Sequence, residues 1–96
     1  MKNLENLFTV KDNHFIIDKV FRGKVVGTTV VSKNILKFEL TTAFFYLVQL
    51  NHLITELSRP DLIEENSETL FKIKTLKSVC EREWKIKIKE RKENEK

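Results

Sequence analysis

Cysteine occurs once, at Cys80, so the chain cannot close an internal disulfide, and a reducing, cytoplasmic compartment is expected. Glycine occurs twice and proline once, which leaves few irregular loops on which to build a catalytic site. The two histidines, His14 and His52, fall in different expected elements, with no carboxylate or cysteine at ligand spacing. No CxxC, HExxH or GxSxG is present. Gly23-Lys24-Val25-Val26-Gly27 is too poor in glycine for a phosphate loop, and strand composition follows it where a helix would be needed. Long apolar runs are also missing. The longest, Ala43–Val48, has six residues, far short of the roughly 20 that span a membrane. Met1–Lys11 lacks the apolar stretch of a secretory signal. An enzyme, a metal site, a bound cofactor and a membrane protein are therefore not expected.

What is present suits one small globular domain. Ninety-six residues leave no room for a second core, and a hydrophobic share of 41% rules out a disordered chain. A single compact unit is expected over 1–88, followed by a charged tail over 89–96. The net charge of +4, from 18 Lys and Arg against 14 Asp and Glu, is unevenly placed. Asp61–Glu68 holds acids and no base, whereas Lys72–Lys92 is rich in bases. Such a balance favours a negatively charged partner over neutral ones. The abundance of Lys, Asn, Ile and Phe suits an AT-rich coding genome, such as that of a bacterium, phage or plasmid.

The order of elements is expected to be strands first, then helices. Leu7–Val10 reads as a short strand and Lys11-Asp12-Asn13 as a turn. His14–Phe21 alternates, with Phe15, Ile17, Lys19 and Phe21 on one face and Ile16, Asp18, Val20 and Arg22 on the other. Gly23 permits a reversal, and Lys24–Ser32 is rich in Val and Thr. Ile35–Leu40 alternates most cleanly of all and reads as a fourth strand. At Thr41-Thr42 the period changes, and either threonine can cap a helix over Ala43–Ser58 that Pro60 ends. Its stripe is Ala43, Tyr46, Leu47, Leu50, Leu53, Ile54 and Leu57. A second helix begins near Ser67, with Leu70, Ile73, Leu76, Cys80, Trp84 and Ile88 as its stripe. Trp84–Lys89 also alternates and fits a strand, although Glu81–Glu83 carries the helical period into it without a breaker. The fold class is thus α+β: an antiparallel sheet of three to four strands, a packed helix and a second C-terminal helix.

Two sets of residues are candidates for function. The first is Lys19, Arg22, Lys24, Lys33 and Lys37, a run of cations with no acid between them. On the strands of a hairpin they would neutralise phosphates, and Phe15 and Phe21 would stack on unpaired bases if their face were open. On this first reading the chain binds nucleic acid without catalysis, single-stranded DNA or RNA above duplex. If the face of Phe15, Ile17 and Phe21 packs on the helix instead, that platform vanishes. The second set is surplus apolar surface: Phe44, Phe45 and Val48 on the first helix, Phe71, Val79 and Ile86 on the second. It suits a protein–protein interaction module, such as a small regulator or inhibitor from a phage or other mobile element, or a homodimer interface.

The order of several strands followed by a helix resembles that of PUR-repeat single-stranded nucleic-acid-binding modules. The resemblance covers Leu7–Leu57 and is sharpest at Asp12-Asn13-His14-Phe15-Ile16-Ile17-Asp18, a turn and strand start. It implies binding of single-stranded nucleic acid.

Overall fold

Two tight turns set the sheet in the computed structural model, which describes residues 4–94. Asp12 and Asn13 both adopt left-handed backbone, with φ of 51° and 62°. Arg22 and Gly23 repeat the pattern at 53° and 76°. Paired left-handed residues make the two-residue hairpin turn whose twist matches that of its strands, and Gly23 takes the second position without a Cβ penalty. The result is one antiparallel sheet in the order β1-β2-β3, formed by Thr9–Lys11, His14–Phe21 and Lys24–Ser32. A bulge falls after Lys19, which lies opposite Gly27, because Val20 pairs with Val25 and leaves Val26 unopposed.

The sheet precedes two helices, α1 (Leu40–Leu57) and α2 (Ser67–Asn94), so the architecture is α+β with three strands. Alternation sends Phe15, Ile17 and Val31 to the helical side, where they are buried with Tyr46, Leu50, Leu53 and Leu57 of α1. Leu70, Ile73, Leu76, Cys80 and Trp84 of α2 complete that core. Recurrence at three- and four-residue steps is what lets each helix present one such stripe.

Several local expectations are corrected. Ile35–Leu40 is not a fourth strand: Lys33–Lys37 forms a 3-10 helix, Phe38 turns left-handed at φ 53°, and α1 has begun by Leu40. Ser32 accepts a hydrogen bond from the Asn34 amide, and the Lys33 amide donates to the Asn13 carbonyl at 2.9 Å. The chain is thereby wound and docked on the first hairpin turn before a fourth strand can start. Thr41 and Thr42 lie inside the first turn of α1, with Glu39 at the N-cap. The first strand starts at Thr9 and not at Leu7. Trp84–Lys89 is helical, and α2 continues through most of the expected charged tail. Residues 1–3 of the expected unit and 95–96 of that tail lie outside the described residues.

One buried polar side chain closes the sheet. β1 pairs with β2 only as far as Ile16, which leaves the far end of that edge of β2 without a strand. Asn66, 1% exposed, takes its place. Its Oδ1 accepts from the Val20 amide at 2.9 Å, and its Nδ2 donates to the Val20 carbonyl at 2.8 Å and to the Leu62 carbonyl at 2.8 Å. One carboxamide thus supplies the donor and acceptor that a neighbouring strand would have offered. Beside it the Glu65 carboxylate accepts from the Arg22 and Gly23 amides at 2.8 and 2.9 Å, which fixes the acidic connection against the β2–β3 turn.

Candidate functional site

The five hairpin cations do not converge. Lys19 points to the helix-covered side of the sheet, where its Nζ donates to Glu56 of α1. Arg22 sits at the β2–β3 turn with its guanidinium 5.1 Å from the centre of its own Phe21 ring, and Lys24 opens the next strand. Lys33 lies at the opposite end of the hairpin, 3.5 Å from Glu5. Eight residues of β2 separate those two ends, about 23 Å at strand rise. Lys37 closes the 3-10 helix, and its carbonyl accepts from Lys87 Nζ at 3.0 Å. Among the described residues Lys24 and Lys37 have no acid partner.

Nor does Phe15 offer an aromatic platform. Phe15 is 0% exposed and its ring packs 5.6 Å from that of Phe8. The sheet face left open carries Ile16, Asp18, Thr28 and Val30, with Thr28 donating to Asp18 at 2.9 Å. Its shallow depression is rimmed by Lys11, Asp12 and His14, and the His14 ring engages the Asp12 carbonyl at 2.7 Å. One lysine against two aspartates gives that face little attraction for a polyanion.

Lys19 and Glu56 form a pair that strand parity alone foreshadows, since a cation turned toward a core requires a counter-charge. The hydrogen bond from Lys19 holds the Glu56 carboxyl below its ordinary 4.5, against desolvation, with Lys19, His52 and Arg59 adding Coulombic attraction. His52 approaches the second Glu56 oxygen at 3.5 Å. Because the folded value is depressed, the pair's contribution is fully present above the unfolded value and is lost as pH falls through the folded one. Glu56→Gln should therefore cost about 1 kcal/mol at neutral pH, the upper range for a partly exposed pair. Urea unfolding of both proteins should show the gap closing on strong acidification.

No group of three metal-ligating side chains occurs among the described residues. Burial pushes the Cys80 thiol up to about 12, with Glu81 and Glu83 adding to the shift, so it is a core side chain and not a nucleophile at neutral pH. Among those residues no helix is long and apolar enough to cross a membrane.

The apolar candidates, by contrast, stand in solvent. Phe44, Phe45 and Val48 are 78%, 64% and 51% exposed. Their three- and four-residue spacing makes them neighbours on the side of α1 that faces away from the core. Phe71 and Ile86 are exposed on α2, and Val79 is half-buried. By helical spacing Val79 and Ile86 lie about 160–180° around α2 from Ile88. Phe44, Phe45, Val48, Phe71 and Ile86 all remain exposed, so the two sets do not cover one another.

Between the helices lies a feature that sequence reasoning missed. Leu40, Ala43, Phe44 and Leu47 of α1 and Trp84 and Ile88 of α2 line a groove of about 520 Å³, with Arg91 and Lys92 at its rim. In the sequence Ala43, Leu47, Trp84 and Ile88 read as members of two core stripes, Leu40 as the end of a fourth strand and Phe44 as surplus apolar surface. The available signal was length: α2 has 28 residues against 18 in α1, so an antiparallel pair must leave the end of α2 without a neighbour. Comparison of the chain with protein-family models, curated proteins and solved structures finds no match.

Proposed function

We propose that this chain is a non-enzymatic protein-interaction module, a small regulator or inhibitor that docks on a partner protein through the outer surface of its helices. The observation that carries the reading is the adjacent exposure of Phe44, Phe45 and Val48 on one face of α1. Two bare phenylalanines side by side are costly in water, and burying each in a partner is worth roughly 1.5–3 kcal/mol. Aromatic side chains of this kind supply the dense centres of protein interfaces. A cytoplasmic place of action, with Cys80 reduced, belongs to the same proposal.

A second reading is binding of single-stranded nucleic acid. Support comes from Lys24 and Lys37, which have no acid partner among the described residues, and from the exposed Lys85, Lys89 and Lys92 along α2. These groups would give affinity without base readout.

Capture of partners from nuclease-treated extract of the source cells separates the two. Phe45→Asp should lose the captured protein, with binding weakened at least about thirtyfold, the effect of a central interface residue. The double reversal Lys24→Glu, Lys37→Glu should retain it. Capture that needs intact nucleic acid and fails with the lysine variant would replace the first reading by the second.

A further inference from the structure

We propose that the groove between the start of α1 and the end of α2 receives an acidic amphipathic helix from the partner protein. This rests on the interaction reading above and adds the chemistry of what docks. The floor is apolar, made by Leu40, Leu47, Trp84 and Ile88, so the occupant must present apolar side chains to it. Phosphates would be stripped of water there without compensation, which excludes a nucleic-acid backbone from the floor.

The rim sets the sign of the charge. Lys92 lines the groove, and Lys85, about 60° around α2 from Ile88, is exposed. Among the described residues of α2, Glu81, about two turns earlier, is the acid on that flank, while Glu83, Glu90 and Glu93 fall about 140–160° around the helix from Ile88. Carboxylates beside the occupant's apolar stripe would meet those cations. A second copy of this chain is a poor occupant, because a two-fold contact would set Lys85, Lys92 and their neighbours against the same cations.

Shape and an unmet donor point the same way. The last turns of α2 run beside the start of α1, and Trp84, Ile88 and Lys92 recur there at four-residue steps along the groove. A third helix laid along that ridge would restore ordinary helix packing. The Trp84 indole N–H, on a side chain only 5% exposed, has no acceptor. Buried donors are nearly always paired, and an oxygen brought by the occupant would supply the missing acceptor.

Three fluorescein-labelled synthetic peptides of about fourteen residues, four helical turns, test the proposal by anisotropy. One carries Leu at i, i+3, i+4 and i+7 with Glu elsewhere. A second keeps the stripe and replaces Glu by Lys, and a third is a scramble of the acidic peptide. The acidic amphipathic peptide should bind at least about tenfold more tightly than either of the others. Ile88→Glu and Lys92→Glu should each weaken it about tenfold or more, with unchanged far-ultraviolet circular dichroism. Equal binding of the acidic and lysine peptides, or of the acidic peptide and its scramble, overturns the proposal. So does self-association that Ile88→Glu abolishes, which would make a second copy the occupant. Capture of a partner sensitive to Phe45→Asp but indifferent to Ile88→Glu would overturn the groove assignment while leaving the interaction module intact.

Discussion

Replacing Phe15 by alanine should cost about 3–5 kcal/mol, the range for a fully buried phenylalanine truncated in a core that cannot close around the gap. Phe15 is 0% exposed, pairs with Val31 across β2 and β3, and packs against Phe8. Its ring thus joins the sheet to the helices and to the segment before β1. A domain of this size has a total stability of only about 5–15 kcal/mol, so at the lower end the variant is largely unfolded at ambient temperature. Phe15→Leu keeps most of the volume and should cost about 1–2 kcal/mol by the same reasoning. Thermal and urea unfolding read both values. A residue serving as an exposed stacking platform would show neither loss, so the series also tests where the sheet turns its aromatic face.

Asn66→Ala should destabilise the protein by about 3 kcal/mol. The substitution removes three hydrogen bonds at once and leaves the Val20 amide and carbonyl without partners, each of which costs on the order of 1 kcal/mol or more when buried, while the Leu62 carbonyl keeps the Asn66 backbone amide at 3.1 Å. For a chain of this length that loss corresponds to a melting temperature lower by roughly 12–24 °C. Asn66→Asp keeps the shape and one acceptor but sets a carboxylate against two carbonyl oxygens. It should be at least as damaging at neutral pH and should recover part of the loss when protonated. Retention of wild-type melting by Asn66→Ala would show that the free end of β2 needs no surrogate strand.

Both effects depend on tertiary detail that the sequence displays unevenly. The hairpins were legible because their chemistry is local: Asp12, Asn13 and Gly23 accept left-handed backbone, and β-branched residues fill β3. The two helical stripes were legible because burial follows the 3.6 period. Ile35–Leu40 misled because six residues cannot distinguish period two from a 3-10 turn, and what decides is the docking of Lys33 on Asn13, a contact across twenty residues. Asn66 gave no warning, since it falls in the connection just before the helix that begins near Ser67, and its role appears only when β1 is seen to stop short.

The candidate site divides in the same way. That α1 carries more apolar surface than one stripe can bury was visible in Phe44, Phe45 and Val48, but whether the rest of the chain covers them was not. Lys19, Arg22, Lys24, Lys33 and Lys37 are near in sequence, yet a strand sends neighbours to opposite faces and a hairpin sends its ends about 23 Å apart. Proximity along the chain therefore says little about a shared surface. The groove needed two helices of unequal length laid side by side.

Hydrogen exchange of the protein with and without its captured partner addresses the central claim most directly, namely that the helices and not the hairpin cations form the contact. Protection gained over Leu40–Val48 and Trp84–Lys92, with the Arg22-Gly23 turn unchanged, is the expected result. Protection confined to that turn and to Lys33–Lys37, with the helical segments unaltered, would contradict it.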